Sequence, residues 1–310
     1  MIDAPSSTWF TTNPHWQWYI VLYFFIGGLA GGCYFLAALI DHLGRVEDRP
    51  LARLGYYVAF PAVLLSGLLL TLDLSRPLRF WHMLIERNTF EPMFKAWSPM
   101  SIGSWALLAF GLFSFISFMG ALAEEDRLRW PAFRRLQWPA FRTTRPPAVT
   151  GLIVAVLGGL AGLFVAGYTG VLLAVTNRPI WSDTPLLGML FIVSAASTST
   201  ALLMLLAQRY GWRALPGVAA LQRMDGLVLA LELLVLAAVV VSLGSALRGW
   251  LNAWGALLLF GVIIPGLIVP LVLSWRQRRF TEASIATMAA LVLIGGFLLR
   301  VVVIFSSETI

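Results

Sequence analysis

Residues 18–40 read WYIVLYFFIGGLAGGCYFLAALI, an uninterrupted run that contains no Asp, Glu, Lys or Arg. A helix that crosses the hydrocarbon core of a bilayer needs about 20 mostly apolar residues. The run is therefore long enough and apolar enough to span a membrane. The residues before it, beginning MIDAPSS, include no basic cluster of the kind that opens a cleaved signal peptide, so we expect this first span to be retained.

The composition of the whole chain agrees with this first span. Of 310 residues, 59% are hydrophobic and only 12% are charged, whereas a soluble domain has about a quarter of its residues charged. This composition excludes a soluble globular enzyme. The single Cys excludes a disulfide framework and an iron–sulfur cluster held by this chain alone. None of the three His residues lies inside a predicted span, where it could ligate haem.

Seven more segments have the length and apolar character of the first. We therefore predict an all-α integral membrane protein, a bundle of eight transmembrane helices within one membrane domain that covers residues 1–310. The predicted spans are 18–40, 54–72, 102–123, 149–175, 185–207, 227–247, 253–273 and 285–304.

The distribution of basic residues predicts how the bundle sits in the membrane. The loops after the odd-numbered spans contain 15 Lys and Arg residues, and the opposite side contains 6. Cytoplasmic loops are the ones enriched in Lys and Arg. Both termini are therefore predicted to lie outside, and the net charge of +7 reflects this bias rather than a nucleic-acid surface.

This orientation brings polar side chains from several segments to the outer side. His15 precedes the first span, Asp73 and Arg76 follow the second, and Tyr168 lies near the outer end of the fourth. Their hydrogen-bonding groups would suit an amphipathic ligand, such as a quinone, that enters from the bilayer. The alternative is an ordinary set of interface residues, because Tyr, Trp and Arg collect at membrane boundaries without any ligand.

Three charged residues lie in or beside later spans. Asp225 and Glu232 belong to the sixth span region and Arg300 to the eighth. Charges inside a bilayer are costly and are often functional, so these residues are candidates for a proton path. The predicted spans put Glu232 ~8 Å and Arg300 ~22 Å above the cytoplasmic boundary, so we do not expect a direct pair. Satisfied polar contacts between helices are the alternative.

Glycines at four-residue spacing form a further pattern. Gly27, Gly28, Gly31 and Gly32 lie in the first span, and Gly158 and Gly162 lie in the fourth. Small residues at this spacing let two helix backbones approach closely, so the pattern predicts helix packing.

Several short segments together resemble one family of membrane proteins. They are HW (15–16), YFFIGGLAGG (23–32), LDLSRP (72–77), SPMS (98–101), YTGVLL (168–173) and PLLGMLFIVSAAST (185–198). In order and spacing they resemble the NrfD/PsrC family, the membrane subunits of polysulfide reductase and related oxidoreductases. The likeness covers the first five spans.

The resemblance implies a menaquinone or ubiquinone site near the outer face, with no haem or metal in this chain. It also implies a ferredoxin-like iron–sulfur subunit and a catalytic subunit, often a molybdopterin enzyme, in a bacterial cytoplasmic (inner) membrane complex. The predicted quinone residues are His15 and Tyr168, which the resemblance implies as partners of the quinone carbonyls, Thr169 beside Tyr168, and Asp73 and Arg76, which it implies line either the site or the docking surface.

The outer loops are the expected docking surface for the partner, because their basic residues run against the positive-inside bias. The docking candidates are Arg79, Trp81, Trp97, Asn177 and Arg178. An ion or solute transporter and a structural anchor that binds no quinone remain the alternative functions.

Overall fold

A computed structural model describes residues 16–125, 141, 143–276 and 282–307. Within these residues it contains eight helices that are long and apolar enough to cross a membrane, and no β-strand longer than an isolated bridge. The helices are α1 (Trp18–Leu43), α2 (Arg49–Asp73), α3 (Pro99–Glu124), α4 (Val149–Ala174), α5 (Leu187–Arg209), α6 (Pro216–Ser242), α7 and α8 (Glu282–Ser306). Helix α7 consists of Ala253–Leu257, the π-helical Leu258–Ile268 around Pro265, and Val269–Arg276. The predicted number of helices is confirmed for this part of the chain.

One predicted boundary is wrong by several turns. Helix α6 begins at Pro216, not at residue 227, and ends at Ser242. Its first turns include charged residues such as Arg223, so they do not belong to an apolar run. The helix start is stabilised from outside, because the backbone N–H of Gly217 donates to the Asp48 carboxylate at 2.6 Å.

The helices form two halves, α1–α4 and α5–α8, that meet where α1 and α4 pack against α5. Helices α1 and α5 are the most buried of the eight, with 72% and 67% of an apolar 18-residue stretch of each helix inside the bundle. Helix α1 also packs closely on α4, because Gly31 lies directly against the backbone of Gly162 and any Cβ on Gly31 would overlap it. The glycine pattern thus acts in helix packing, as predicted.

Buried charges join the helices at one end of the first half. The Arg145 guanidinium forms an ion pair with Asp41 at the end of α1 and a second one, at 3.0 Å, with Glu124 at the end of α3. Asp41 also accepts a hydrogen bond from Tyr56 of α2 at 3.4 Å. Breaking one partner of such a buried pair leaves an uncompensated charge, so the cluster holds these helix ends together.

The opposite end of the first half is more open. There α2 ends at Asp73 and a 3₁₀ helix, Pro77–Met83, follows before α3 begins at Pro99. We call this the cavity end. It is the end that the basic-residue count predicts to face outside.

Candidate functional site

A cavity of about 660 Å³ opens among α1–α4 at the cavity end. Its walls come from the first turns of α1, the last turns of α2 and α4, the first half of α3 and the 3₁₀ helix. Ligand pockets in proteins typically occupy about 300–1,000 Å³. The cavity is therefore large enough for an organic ligand of moderate size.

The cavity has a polar part and an apolar part. Its polar and hydroxyl-bearing side chains are Asp73, Thr71, Ser104, Tyr23 and Tyr168. Counting rise along each helix, all five lie within ~9 Å of the cavity end of their helices. The deeper wall is lined by aliphatic and aromatic side chains, as far as Phe115, which lies ~24 Å down α3.

Tyr168 is held in place by its own helix and by the neighbouring α3. It is only 8% exposed, and its ring stacks on Phe164 one turn away in α4, with 5.8 Å between ring centroids. Its phenol lies against Gly103 of α3 so closely that a Cβ at that position would overlap the ring and hydroxyl. Glycine is therefore required at position 103 for the ring to keep this position.

Most of the lining on the α1 side of the cavity is aromatic. Trp16 contacts Phe24 edge-on, and Trp16 also packs against Trp181 with 4.9 Å between ring centroids. Trp181 is fully buried, and its indole N–H donates to the Val303 carbonyl at 2.7 Å. Tyr23, which is 3% exposed, completes this wall.

The predicted quinone residues have different positions in the structure. Tyr168 and Asp73 both line the cavity, whereas Arg76 is exposed and is not part of the lining. Thr169 does not line the cavity either, because it is fully buried and donates to the Ala166 carbonyl within its own helix at 3.0 Å. Of the four predicted quinone residues that the structure describes, it therefore brings together two.

His15 lies outside the described residues. Its neighbour in the sequence, Trp16, lines the cavity. The assignment of His15 to the quinone thus stays a prediction.

The lining also contains residues that were not predicted. Tyr23, Thr71 and Ser104 add hydroxyl groups, and Trp16 adds an indole. The level of Tyr23 in the sequence could have indicated it, because it lies ~8 Å from the outer end of the first predicted span.

Most of the predicted docking residues are accessible. Trp97 is 81% exposed, Arg79 and Asn177 are exposed, and Trp81 is half-buried. Arg178 differs, because it is only 7% exposed and donates to the backbone carbonyl of Ser307 at 3.3 Å. Arg178 therefore ties its loop to the end of α8 and is not available to a docking partner in this structure.

A second polar cluster joins α5, α6 and α8 in the other half. Arg300 donates to the Ser194 hydroxyl at 2.6 Å and to the Gly296 carbonyl at 2.7 Å. Ser197, three residues after Ser194 on the same face of α5, donates to the Glu232 carboxylate. Glu232 and Arg300 therefore bind neighbouring serines without forming a direct ion pair in the described part of the chain.

The difference in depth predicted for these two charges is wrong. Because α6 begins at Pro216, Glu232 lies ~24 Å from the start of its helix, and Arg300 lies ~27 Å from the start of α8. Both therefore lie at nearly the same level.

Asp225 lies about two turns before Glu232 on α6. It borders a separate small cavity of about 10 Å³ beside Met204 and Met288. Its Oδ1 atom has no hydrogen-bond partner among the residues that the structure describes.

The side chains of the described residues offer no metal site. They contain no group of three or more His, Cys, Asp or Glu side chains that could hold a metal ion.

Comparison with known proteins gives matches over nearly the whole chain. The family model described as polysulphide reductase, NrfD, matches residues 9–310. A polysulfide reductase chain of Wolinella succinogenes is 27% identical over 95% of this sequence and 94% of its own length. Protein NrfD of Escherichia coli is 26% identical over 94% of this sequence and 95% of its own length.

A shorter match is a selenate reductase subunit of Mesobacillus selenatarsenatis, 28% identical over 31% of this sequence and 20% of its own length. The family match covers far more than half of the sequence. The protein belongs to the NrfD, polysulphide reductase, family of multi-pass membrane proteins.

Proposed function

We propose that this member of the NrfD family is the quinone-binding membrane subunit of a multi-subunit oxidoreductase. It would exchange electrons between the quinone pool, menaquinone or ubiquinone, and an iron–sulfur partner subunit. The observation that carries the proposal is the cavity, whose hydrogen-bonding groups lie at one end and whose deeper wall is apolar. A quinone has the same two parts, a ring with two carbonyl groups and an apolar tail.

The residues at the cavity end supply the chemistry that the ring requires. Oxidation of a quinol to a quinone releases two electrons, which pass to the partner's clusters, and two protons. The Tyr168 hydroxyl can donate to a quinone carbonyl or accept from a quinol hydroxyl. The Asp73 carboxylate, at the last residue of α2, can accept a proton and release it to water. His15, from the family resemblance, is proposed as the partner of the second carbonyl.

The variant Tyr168→Phe tests this assignment most directly. It removes one hydroxyl and keeps the ring that packs on Phe164, so the fold should survive. The lost hydrogen bond is worth about 0.5–1.5 kcal/mol, and general acid–base help by the hydroxyl is worth about 10²–10⁴-fold in rate. Quinol-linked electron transfer in the assembled complex should therefore fall more than quinol binding does.

Tyr19→Phe is a matched control, because Tyr19 belongs to α1, is 41% exposed and does not line the cavity. It should behave as wild type. Normal turnover in Tyr168→Phe would indicate that the quinone binds elsewhere and that Tyr168 is an ordinary membrane-interface residue.

Asp73 is proposed to carry protons rather than to bind the ring. Asp73→Asn keeps the shape of the side chain but removes its capacity to ionise. We expect slower turnover with the iron–sulfur content of the complex unchanged. The control is Glu91→Gln, which removes a carboxylate from an exposed part of the same loop region.

The partner subunit is proposed to dock at the cavity end, which in a bacterial cytoplasmic membrane would be the outer side. The exposed residues Arg79, Trp97 and Asn177 and the half-buried Trp81 support this surface. A ferredoxin-like partner there would bring a cluster close to the cavity, and a molybdopterin subunit would complete the complex. Photo-crosslinkers at Trp97 and Asn177 should capture the partner, whereas one at Thr143 should not.

Proton movement through the second half is a further part of the proposal. Glu232 and Arg300 share a serine face of α5, and Asp225 continues the line of acidic groups along α6. Glu232→Gln should leave quinol oxidation in detergent unchanged but lower the proton gradient formed in vesicles. An unchanged gradient would favour satisfied polar contacts between helices.

Two alternative functions give different results from one purification. Bound quinone together with iron–sulfur absorbance is expected for the proposed role. A structural anchor would carry the iron–sulfur partner without quinone, and a transporter would carry neither.

A further inference from the structure

Helices α2 and α3 are joined firmly at the end away from the cavity. Arg53 of α2 forms ion pairs with Glu125 at 3.1 Å and with Glu124 at 3.6 Å. About two turns further along, the Phe60 ring packs against Phe115 and Phe118, with 5.3 and 5.0 Å between centroids. These contacts fix the two helices against each other in the half opposite the cavity.

Towards the cavity end the same two helices separate. An ideal Cβ placed on Gly67 of α2 or on Gly111 of α3 has no heavy atom within 4 Å. The helices thus enclose a wedge that is closed at the phenylalanines and open towards Asp73. The missing side chains at Gly67 and Gly111 leave the wedge unfilled.

The wedge is also open at the side of the bundle. Leu64, Leu108 and Leu112 line the cavity, yet they are 57%, 51% and 57% exposed. In a bilayer this exposed side would face lipid. The cavity is therefore continuous with the hydrocarbon region along the groove between α2 and α3.

We infer that the wedge between α2 and α3 is the portal that holds the apolar tail of the quinone and admits it from the bilayer. The inference rests on the proposed function, since it requires the ring to lie near Tyr168 and Asp73. The lining changes from hydroxyl-bearing to apolar along the direction that a tail would follow.

The charge of the lining favours a quinone over a phospholipid as the occupant. A phospholipid would place an anionic phosphate beside Asp73, and the lining residues that the structure describes include no Lys or Arg to balance it. A quinone ring is neutral and carries only hydrogen-bonding carbonyls. Like charges at short range repel, so the quinone is the occupant that suits this end of the cavity.

The test fills the wedge without touching the polar groups. Gly67→Leu and Gly111→Leu each place a side chain in empty space, and both replace glycine by a better helix former, so folding should not suffer. Ala237→Leu adds a side chain to an exposed position of α6 and is the matched control. Each variant is assayed in the purified complex with a quinol that lacks an alkyl tail and with a quinol that carries a long isoprenoid tail.

If the wedge is the portal, the loss of kcat/KM in the glycine variants should depend on the length of the quinol tail. With the long-tailed quinol, kcat/KM should fall by about tenfold or more in either glycine variant, equivalent to the displacement of about two buried methylene groups. With the tailless quinol, and for Ala237→Leu with both quinols, kcat/KM should stay near wild type. Quinone extracted from the purified complex should fall in the same two glycine variants.

Three outcomes would overturn the portal. The first is an equal loss of kcat/KM with both quinols, and the second is an unchanged quinone content together with normal kinetics in the glycine variants. The third is a phospholipid that wild type retains and the glycine variants lose, while their quinone content stays the same. Failure of the proposed function is distinguishable, because wild type itself would then react with neither quinol.

Discussion

Replacing Gly103 by Ala should impair the quinone site although position 103 carries no functional group. The added Cβ would overlap the Tyr168 ring and hydroxyl. Either the phenol must move into the cavity or α3 must move away from α4. In both cases the hydroxyl leaves the position from which it can bind a quinone carbonyl.

Gly111→Ala isolates this effect, because it makes the same chemical change in the same helix with no atom within 4 Å of the new Cβ. Both variants gain about 0.5–1 kcal/mol of helix stability from the change of Gly to Ala. Forcing a methyl group into a packed site costs about 1–3 kcal/mol. If this cost falls on the bound state, kcat/KM for a quinol without an alkyl tail should be about 5- to 150-fold lower in Gly103→Ala than in Gly111→Ala.

The assay is quinol-driven reduction of the partner's clusters in the assembled complex, with iron content as the measure of assembly. Gly103→Ala combined with Tyr168→Ala should be no slower than Tyr168→Ala alone, because the overlapping atoms are then absent. Equal kinetics for Gly103→Ala and Gly111→Ala would refute the reasoning. So would an additive loss in the double variant.

Three further predictions concern the rest of the bundle. Ser194→Ala removes a hydroxyl that accepts from Arg300 at 2.6 Å, so unfolding in detergent should become easier by about 1.5–3 kcal/mol, the range for a hydrogen bond to a charged group. Arg145→Gln breaks the buried ion pair with Asp41. The free energy of unfolding should therefore fall by about 3–5 kcal/mol, which a lower yield of folded protein would reveal. A reporter enzyme that is active only in the cytoplasm, fused after Ile310, should be inactive, and strong activity would reverse the predicted topology.

The membrane class and the number of helices could be predicted from the sequence because each depends on local composition. A span such as Trp18–Leu43 must satisfy its backbone hydrogen bonds internally in lipid, and a long apolar run is enough to reveal it. The start of α6 could not be found in this way. It depends on Pro216 and on the distant Asp48 carboxylate, neither of which belongs to an apolar run.

The candidate site was predicted only in part, for a related reason. Asp73 and Tyr168 lie near the predicted ends of their spans, so their shared level in the membrane followed from counting residues. Tyr23 and Ser104 also lie at this level, but so do side chains that face elsewhere. Thr169 shows the limit most clearly, since it is adjacent to Tyr168 and points its hydroxyl back to its own helix.

The sequence by itself determined that the chain is a bundle of membrane-spanning helices, because hydrophobicity and length act residue by residue along one helix. The tertiary structure alone decided which side chains meet, because the rotation of each helix is set by its packing against others. The close contact of Gly31 with Gly162 is one such constraint, and the contact of Gly103 with Tyr168 is another. The shared level of Glu232 and Arg300 likewise depends on where two separate helices begin, which neither apolar run reveals.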